Sequence, residues 1–272
     1  MSAAAGHRGA LIGLVILAAL ATMAVAAPWI SARDPIRTAP REALQSPGAR
    51  FVLGSDQFGR DVASRVLYGA RVSLLVGVIS VSIAVGLGAP LGLVSGYYGG
   101  RLDALIMRVM DVMLAFPGIL LALAIVSVLS PGLGNVMIAV GLSAVPGYAR
   151  LVRATVLSAR EHLYVEAARA LGGRDGGILV RDILPNVVAP LIVTATLGLG
   201  GAILSAAALS FLGLGSQPPQ PEWGRMLSEG RDYLREAWWI STFPGLGILL
   251  TVLAMNLVGD GLRDVLDPRL ET

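Results

Sequence analysis

Hydrophobic and polar residues follow one another in long blocks along this chain. Each apolar block is free of charged residues and exceeds the roughly 20 residues that a helix needs to cross a bilayer. The blocks are Ala10–Ile30, Val72–Gly100, Val112–Ala149, Ile183–Pro221 and Ala237–Gly259. The third block is long enough for two helices, and Ser130-Pro131-Gly132 predicts a turn between them. The pattern therefore predicts six membrane spans.

Composition supports a membrane protein and removes several kinds of chemistry. Hydrophobic residues make up 55% and charged residues 14% of the chain, where soluble domains carry about 25% charged residues. All 21 basic residues are arginine, and there is no cysteine. Without lysine the chain cannot form a Walker A phosphate loop or a Schiff base. Without cysteine it has no disulfide and no thiolate nucleophile, and its two histidines, His7 and His162, lie outside the predicted spans.

The first span has two interpretations. Arg8 precedes an apolar core, and Ala24-Val25-Ala26 resembles the small-residue cleavage site of a signal peptide. A cleaved signal usually has an apolar core of roughly 7–15 residues, and this core is longer. We therefore interpret Ala10–Ile30 as an uncleaved membrane anchor, with the cleaved signal as the alternative.

The polar segment after the anchor leads into a glycine-rich second span. Val62, Val66 and Leu67 are spaced to form one face of a short helix, which we expect to lie along the membrane surface. We interpret the glycines of the second span as sites of close helix packing. They are Gly77, Gly86, Gly88, Gly92 and Gly96.

Charged residues occur near the start of the third span and are absent from the depth of all six. Arg108 and Asp111 are three residues apart on a helix and could pair. Because they lie near a helix end, we expect them to reach the interface, with a buried proton relay as the alternative. Pro117 predicts a kink or a local opening of the third span. A proton-driven carrier needs a carboxylate at depth, so we expect the energy source on another polypeptide. The count of loop arginines, which includes Arg269, is nearly equal on the two sides and does not orient the chain.

A polar island separates the fourth and fifth spans. Its apolar stripe has helical spacing, and Gly172-Gly173 follows where a helix end favours positive φ. The stripe consists of Tyr164, Ala167, Ala168 and Leu171. Asp175 is predicted to cap a second short helix through Val180, which Pro185 would end. The island is thus predicted to be a helix–turn–helix at the membrane surface, and from the residues alone an ordinary interfacial connector remains the alternative.

The island resembles the E-A-A loop of ABC-importer permeases. The matching residues are Glu166, Ala167, Ala168, Gly172, Leu184 and Pro185, while Asp182 stands where that loop has isoleucine and Ile183 follows one position later. Residues 53–270 resemble the C-type permease subunit of dipeptide/oligopeptide importers, within the family of binding-protein-dependent transport inner-membrane components. Supporting segments include Gly54–Asp56, Gly59–Val62, Tyr68–Leu74, Ala115–Pro117, Pro146–Arg153, Leu209–Gly215, Gln217–Pro219 and Asn256–Arg263; Val145 replaces the tryptophan expected before Pro146.

The resemblance implies a fold, a function and a set of partners. It implies an all-α membrane protein of six transmembrane helices, with a cytoplasmic helix–turn–helix coupling loop between the fourth and fifth. Residues 1–71 would form an anchor helix and a polar extracytoplasmic loop, and residues 72–272 a five-helix permease core with the coupling loop at 150–185. The six matching residues would couple the spans to an ATPase, in the inner membrane of a bacterium with both termini cytoplasmic.

The implied partners are a second, B-type permease subunit, two ATP-binding subunits, an extracytoplasmic substrate-binding protein and the lipid bilayer. No cofactor, metal or catalytic residue is implied, and nucleic acid is not a partner. The substrate would be a dipeptide or oligopeptide, although nickel and glutathione importers share these segments. Glu222–Arg235 would face outward as a docking surface, and Trp238 and Trp239 would lie in the interfacial aromatic belt. A stand-alone carrier or channel is the alternative function, and an intramembrane enzyme is a third class.

Overall fold

The computed structural model describes the backbone of residues 3–266 and the side chains of residues 8–266. Residues 1–2 and 267–272, which include Arg269 and both predicted cytoplasmic termini, lie outside the described residues. Ten α-helices account for most of the described chain. They are α1 (Ala3–Ile30), α2 (Val62–Tyr98), α3 (Gly100–Leu114), α4 (Gly118–Leu129), α5 (Leu133–Ala159), α6 (Leu163–Ala170), α7 (Asp175–Ile178), α8 (Leu184–Phe211), α9 (Trp223–Gly230) and α10 (Trp239–Leu266).

Five helical segments are long and apolar enough to cross a membrane, and a sixth span is bent. The long segments are Arg8–Ile30, Val62–Tyr98, Leu133–Ala159, Asp175–Phe211 and Trp239–Leu266. Helices α3 and α4 qualify together, with a bend of 91° between them. Pro117 forms the N-cap of α4 and marks the bend, which is much sharper than the predicted kink. With the bent pair counted as one span, the all-helical fold with six spans is confirmed.

The predicted surface helix before the second span is wrong, because α2 is one continuous helix. The carboxylate of Asp61 accepts a hydrogen bond from the backbone N–H of Ser64, 2.8 Å away, and caps the first turn. Val62 and Arg65 are buried in that turn. At 37 residues, α2 is about 55 Å long, so its first turns extend beyond a hydrocarbon core of about 30 Å.

Glycines bring α2 and α5 into close contact, as predicted. A Cβ atom on Gly88 would lie 2.8 Å from the carbonyl oxygen of Val145, and one on Gly96 would lie 2.8 Å from Cβ of Val156. Gly92, between them, faces the backbone of Ala149. These three glycines form a small-residue face at four-residue spacing, which lets two helices approach closely in lipid. Gly86 has no described residue within 4 Å of the position a Cβ would take, so it does not share this role.

The acidic residues of α3 pair with arginines of α5, and the Arg108–Asp111 pair that the spacing allowed does not form. Asp111 lies 2.5 Å from Nη2 of Arg150. Asp103 accepts two hydrogen bonds of 2.6 Å from the Nε and Nη2 groups of Arg153. The bidentate geometry fixes α3 against α5 more firmly than an i,i+3 pair on one exposed helix face.

At one end of the bundle, residues 31–61 and 212–238 pack together into a unit that we call the cap. A buried ionic cluster joins its two parts. Arg60 contacts Asp56 at 2.5 Å and Glu229 at 2.7 Å, and Arg65 contacts Glu229 at 3.0 Å. Because all four side chains are at most 8% exposed, the cluster fixes the loop after α1 onto α9.

The cap corrects two predictions about the segment before α10. Trp239 is buried, and its indole N–H donates to the carbonyl oxygen of Ser55 at 3.0 Å; only Trp238 keeps the exposure expected of an aromatic belt. Within the predicted docking surface Glu222–Arg235, Glu222 and Trp223 are buried. Burial raises the pKa of the Glu222 carboxyl, while hydrogen bonds from the backbone of Gly224 and Arg225 oppose that rise. The exposed part of the segment starts at Arg231.

Candidate coupling site

The polar island forms a compact unit at the end of the bundle opposite the cap, and we call residues 160–186 the elbow. α2 connects the two ends, with Val62 at the cap and Tyr97 at the elbow. α5 enters the elbow and α8 leaves it. The predicted helix–turn–helix is present as α6 and α7, although its second half differs from the prediction.

Gly172 ends the first helix of the elbow, as predicted. Its φ is +79°, a conformation that strongly favours glycine. The N–H of Gly173 donates to the carbonyl oxygen of Ala168 at 3.0 Å, and the N–H of Gly172 donates to that of Arg169 at 3.0 Å. This pair of bonds is a Schellman motif. Gly172 therefore sets the direction in which the chain leaves α6.

The second half of the elbow runs without interruption into the membrane, so the predicted stop at Pro185 is wrong. A π-helical turn, Leu179–Ile183, joins α7 to α8. The N–H of Leu184 donates to the carbonyl oxygen five residues earlier, on Leu179, and the side-chain amide of Asn186 donates to the carbonyl oxygen of Asp182 at 2.8 Å. The widened turn and the amide accommodate Pro185 in the first turn of α8, where its missing N–H costs little.

Asp175 is the first residue of α7 and makes no capping hydrogen bond, contrary to the prediction. Its carboxylate instead accepts a hydrogen bond of 2.7 Å from the hydroxyl of Tyr97 at the end of α2. The guanidinium of Arg169 lies 5.3 Å from the centre of the same tyrosine ring. Tyr97 thus contacts both halves of the elbow.

An apolar cluster attaches the elbow to the bundle. Val165 and Ala168 of α6 face inward, three residues apart, and pack with the ends of α5 and α8. Besides Val165, the buried members are Ala89, Tyr97, Val152, Val156, Ala159, Ile178, Ile183 and Val187. Val165 is completely buried. Val165 lies outside the predicted stripe, although its spacing of three residues from Ala168 indicates an inward-facing pair.

The opposite face of α6 is exposed. Glu166, Ala167 and Gly172 are exposed, as is Pro185 at the start of α8, while Ala168 and Leu184 are partly buried. Leu163 is 82% and Leu171 is 88% exposed. The structure thus places the six predicted coupling residues in one unit, although it divides them between an outer and an inner face. Exposed leucines beside small residues are typical of a surface that another protein covers.

The carboxylate of Glu166, the acidic residue of the E-A-A sequence, is available to a partner protein. Glu166 makes no ion pair with any other residue in the described part of the chain. Within residues 8–266 no group of three or more His, Cys, Asp or Glu side chains is arranged to hold a metal. The arrangement can therefore bind a protein through a mixed apolar and charged face, and it offers no constellation for metal-assisted chemistry.

Comparison with known proteins identifies two matching family models. The binding-protein-dependent transport system inner membrane component matches residues 88–272. The N-terminal TM domain of oligopeptide transport permease C matches residues 5–47. The two matches include both α1 and the elbow.

Several curated relatives are similar over nearly the whole chain. The dipeptide transport system permease protein DppC of Alkalihalophilus pseudofirmus is 50% identical over 97% of this chain and 86% of its own length. The di/tripeptide transport system permease protein DppC of Pseudomonas aeruginosa is 50% identical over 98% and 90%, respectively. The glutathione transport system permease protein GsiD of Pectobacterium atrosepticum is 49% identical over 84% and 76%.

A solved structure shares the fold. A chain of the MetNI methionine ABC transporter, in an inward-facing conformation, superposes with a TM-score of 0.58 at 19% identity, covering 75% of this chain and 96% of its own. Since the family model matches more than half of the chain and relatives reach 50% identity, this chain belongs to the family of binding-protein-dependent transport system inner membrane components.

Proposed function

We propose that this chain is the C-type permease subunit of an ATP-driven importer of dipeptides and short oligopeptides. It forms half of the translocation pore with a B-type permease, and its elbow docks on one of two ATP-binding subunits. The observation that carries the proposal is the elbow itself, because it combines an exposed docking face with an inner face packed on the spans. The chain has no catalytic role, and ATP hydrolysis belongs to the partner subunits.

The contacts of the elbow suit the transmission of motion. Val165 and Ala168 pack on the ends of α5 and α8, and Asp175 bonds Tyr97 at the end of α2. Arg160, just after α5, donates to the carbonyl oxygen of Gly96 in α2 at 3.1 Å. Three spans are thus tied to one small unit, so a displacement of the elbow moves their ends together. Closure of the two ATPase subunits would supply that displacement.

The proposed orientation follows from this role. The elbow and both termini lie in the cytoplasm, and the cap lies on the extracytoplasmic side. The exposed residues at the end of the cap then face an extracytoplasmic substrate-binding protein. They comprise Arg231, Asp232, Leu234, Arg235 and Glu236. This docking surface is smaller than the one predicted from the sequence, because Glu222–Gly230 is largely buried under it.

The proposed substrate class rests on the relatives. Their names specify dipeptides, di/tripeptides and glutathione, which share a peptide backbone with charged ends. The uncharged blocks of the spans offer no ionised side chain to the charged ends of a peptide. Selection among peptides is therefore assigned mainly to the binding protein that delivers them.

Purification and reconstitution test the proposal. The full chain, isolated from native membranes in mild detergent, is expected to carry a second permease and an ATPase. The purified assembly in proteoliposomes, supplied with its binding protein, is expected to accumulate a radiolabelled dipeptide only when ATP is present on the elbow side. A chain that purifies alone and transports without ATP would instead be a stand-alone carrier.

A further inference from the structure

A cavity lies where α1 leaves the membrane and α2 enters it. Its volume is about 510 Å³, and its walls include Pro28 and Ser31 at the end of α1, Tyr68 and Arg71 on α2, and Gln220 of the cap. The uncharged stretch of α1 ends at Ile30, and that of α2 begins at Val72. The cavity therefore lies at the level of the membrane interface, at the cap end of the bundle.

The charged groups of the cavity have an excess of positive charge. Arg71 is exposed, and none of the carboxylates in the described chain is within ion-pair distance of it. Arg33 already contacts Glu42 at 3.3 Å and donates to the carbonyl oxygen of Arg50. Asp34 is the only acidic residue of the lining, and its Oδ1 accepts a hydrogen bond from the N–H of Ile36 within a turn. Of the two arginines that line the cavity, Arg71 is thus the one whose N–H groups are free to bind a ligand.

Part of the remaining lining is apolar, beside the polar side chains of Ser31, Tyr68 and Gln220. The apolar part includes Pro28, Pro35, Ile36 and Val72, and Ile36 is 43% exposed. Trp29, adjacent in sequence to Pro28, is 79% exposed, which is typical of an aromatic side chain in the headgroup layer. The cavity combines an unpaired guanidinium with apolar walls at the level of the membrane interface. It is therefore complementary to an amphiphile rather than to a freely soluble ion.

We propose that this cavity binds the headgroup of a membrane phospholipid, with the phosphodiester on Arg71 and the upper acyl chain against Ile36 and Val72. A guanidinium presents two parallel N–H groups to phosphate oxygens, and Arg33 adds positive charge nearby. The acyl contacts separate a lipid from inorganic phosphate, which would gain nothing from the apolar side. The bound lipid would fill the space between α1 and α2 at the base of the cap and contact both helices. This proposal requires only that the chain spans a membrane. The proposed transport function decides only in which leaflet the bound lipid lies.

Native mass spectrometry of the full chain with its co-purifying subunits tests the site. After delipidation, the probe is phosphatidylglycerol added in detergent. Wild type is expected to retain one more lipid per chain than Arg71→Gln, and the affinity of that site is expected to fall about tenfold or more in the variant. Arg71→Lys, which keeps the charge, is expected to recover part of the binding. Arg231→Gln, on an exposed cap arginine paired with Asp232, is the matched control and should bind as wild type.

Competition and a thermal-shift measurement decide the source of the phosphate. Phosphatidylglycerol is expected to raise the Tm of wild type and of Arg231→Gln, but not that of Arg71→Gln, and millimolar inorganic phosphate should neither compete nor stabilise. Equal competition by inorganic phosphate would overturn the lipid assignment, as would unchanged lipid retention in Arg71→Gln. If Arg71→Gln does not fold, Ile36→Glu on the exposed rim replaces it and should repel the phosphate. Unchanged retention in that variant would equally overturn the proposal. Displacement of the lipid when the second permease binds would assign the cavity to a subunit contact instead.

Discussion

The hydroxyl of Tyr97, in the last turn of α2, donates a 2.7 Å hydrogen bond to the carboxylate of Asp175 in the elbow. These residues are separated by 78 positions in the sequence. The bond joins the helix that begins under the cap to the unit that would meet the ATPase. It is therefore a direct polar link between the elbow and a span other than the two that connect to it covalently.

Removing this link should weaken coupling more than stability. Tyr97→Phe keeps the packed ring and loses the hydroxyl, so we expect a destabilisation of about 1 kcal/mol. The number of peptides transported per ATP hydrolysed should fall, while basal ATP hydrolysis persists. Tyr98→Phe changes a neighbouring, half-exposed tyrosine and should leave the ratio unchanged. An equal loss of coupling in both variants would contradict a specific role for the Tyr97–Asp175 bond.

The contact between α2 and α5 should not tolerate an added methyl group. Gly92→Ala would place Cβ against the carbonyl oxygen of Ala149 and the Cβ atom of Val152. Forcing the helices apart should cost about 1–3 kcal/mol. The measurement is the Tm of the detergent-purified protein. Gly86→Ala, at a position with no described residue within 4 Å of its Cβ, should be neutral or slightly stabilising, because alanine favours a helix more than glycine does. A loss of stability there as large as that of Gly92→Ala would contradict the role assigned to close helix spacing.

The buried cluster of the cap should depend on Glu229. Its carboxylate contacts both Arg60 at 2.7 Å and Arg65 at 3.0 Å. Glu229→Gln leaves two buried arginines sharing Asp56, so we expect a destabilisation of about 3–5 kcal/mol. Limited proteolysis in the loop after α1 should become faster.

Asp232→Asn is the matched control for the cap. It removes an acidic side chain that is 74% exposed and, among the described residues, pairs only with Arg231, so its cost should be below about 0.5 kcal/mol. Similar proteolysis rates in the two variants would show that the cap does not depend on its buried charges.

The membrane spans and the first half of the elbow could be predicted because their determinants are local. Uncharged length defines a span, and Gly172 defines a helix end, whatever the partner. The continuation of the helix from α7 through Pro185 into α8 could not be predicted, because it depends on a π-helical turn and on the side chain of Asn186. The burial of Trp239 likewise depends on Ser55, which is 184 residues away. Pairs such as Asp103–Arg153 follow from which helices are neighbours, and periodicity within one segment does not contain that information.

The proposed orientation predicts which positions a membrane-impermeant thiol reagent reaches. The chain has no cysteine, so a single introduced cysteine reports its own position. Ala170→Cys, exposed on the elbow, should be labelled only in inside-out vesicles, and Asp232→Cys, exposed on the cap, only in intact spheroplasts. Both substitutions lie at exposed positions and should leave expression unchanged. Labelling of Ala170→Cys in intact spheroplasts would reverse the orientation and remove the elbow from the ATPase.

Loss of the E-A-A carboxylate tests docking most directly. Glu166 is exposed and unpaired with other described residues of this chain, so a partner can supply its cation. Glu166→Ala should change the free energy of unfolding of the isolated chain by less than about 0.5 kcal/mol. Burial of the carboxylate in an interface should make its loss cost about 2 kcal/mol or more in ATPase binding.

The measurements are the retention of the ATPase during affinity purification and the rate of ATP-dependent dipeptide uptake. Both should fall at least about tenfold. Glu161→Ala removes a second exposed carboxylate, located before α6 and outside the outer face of that helix, and should retain both activities. Ala168→Trp should also impair transport, because Ala168 faces inward and an indole there would displace α6 from the apolar cluster beneath it. Wild-type uptake by both Glu166→Ala and Ala168→Trp would exclude the elbow as the ATPase contact and would leave it as a connector between α5 and α8.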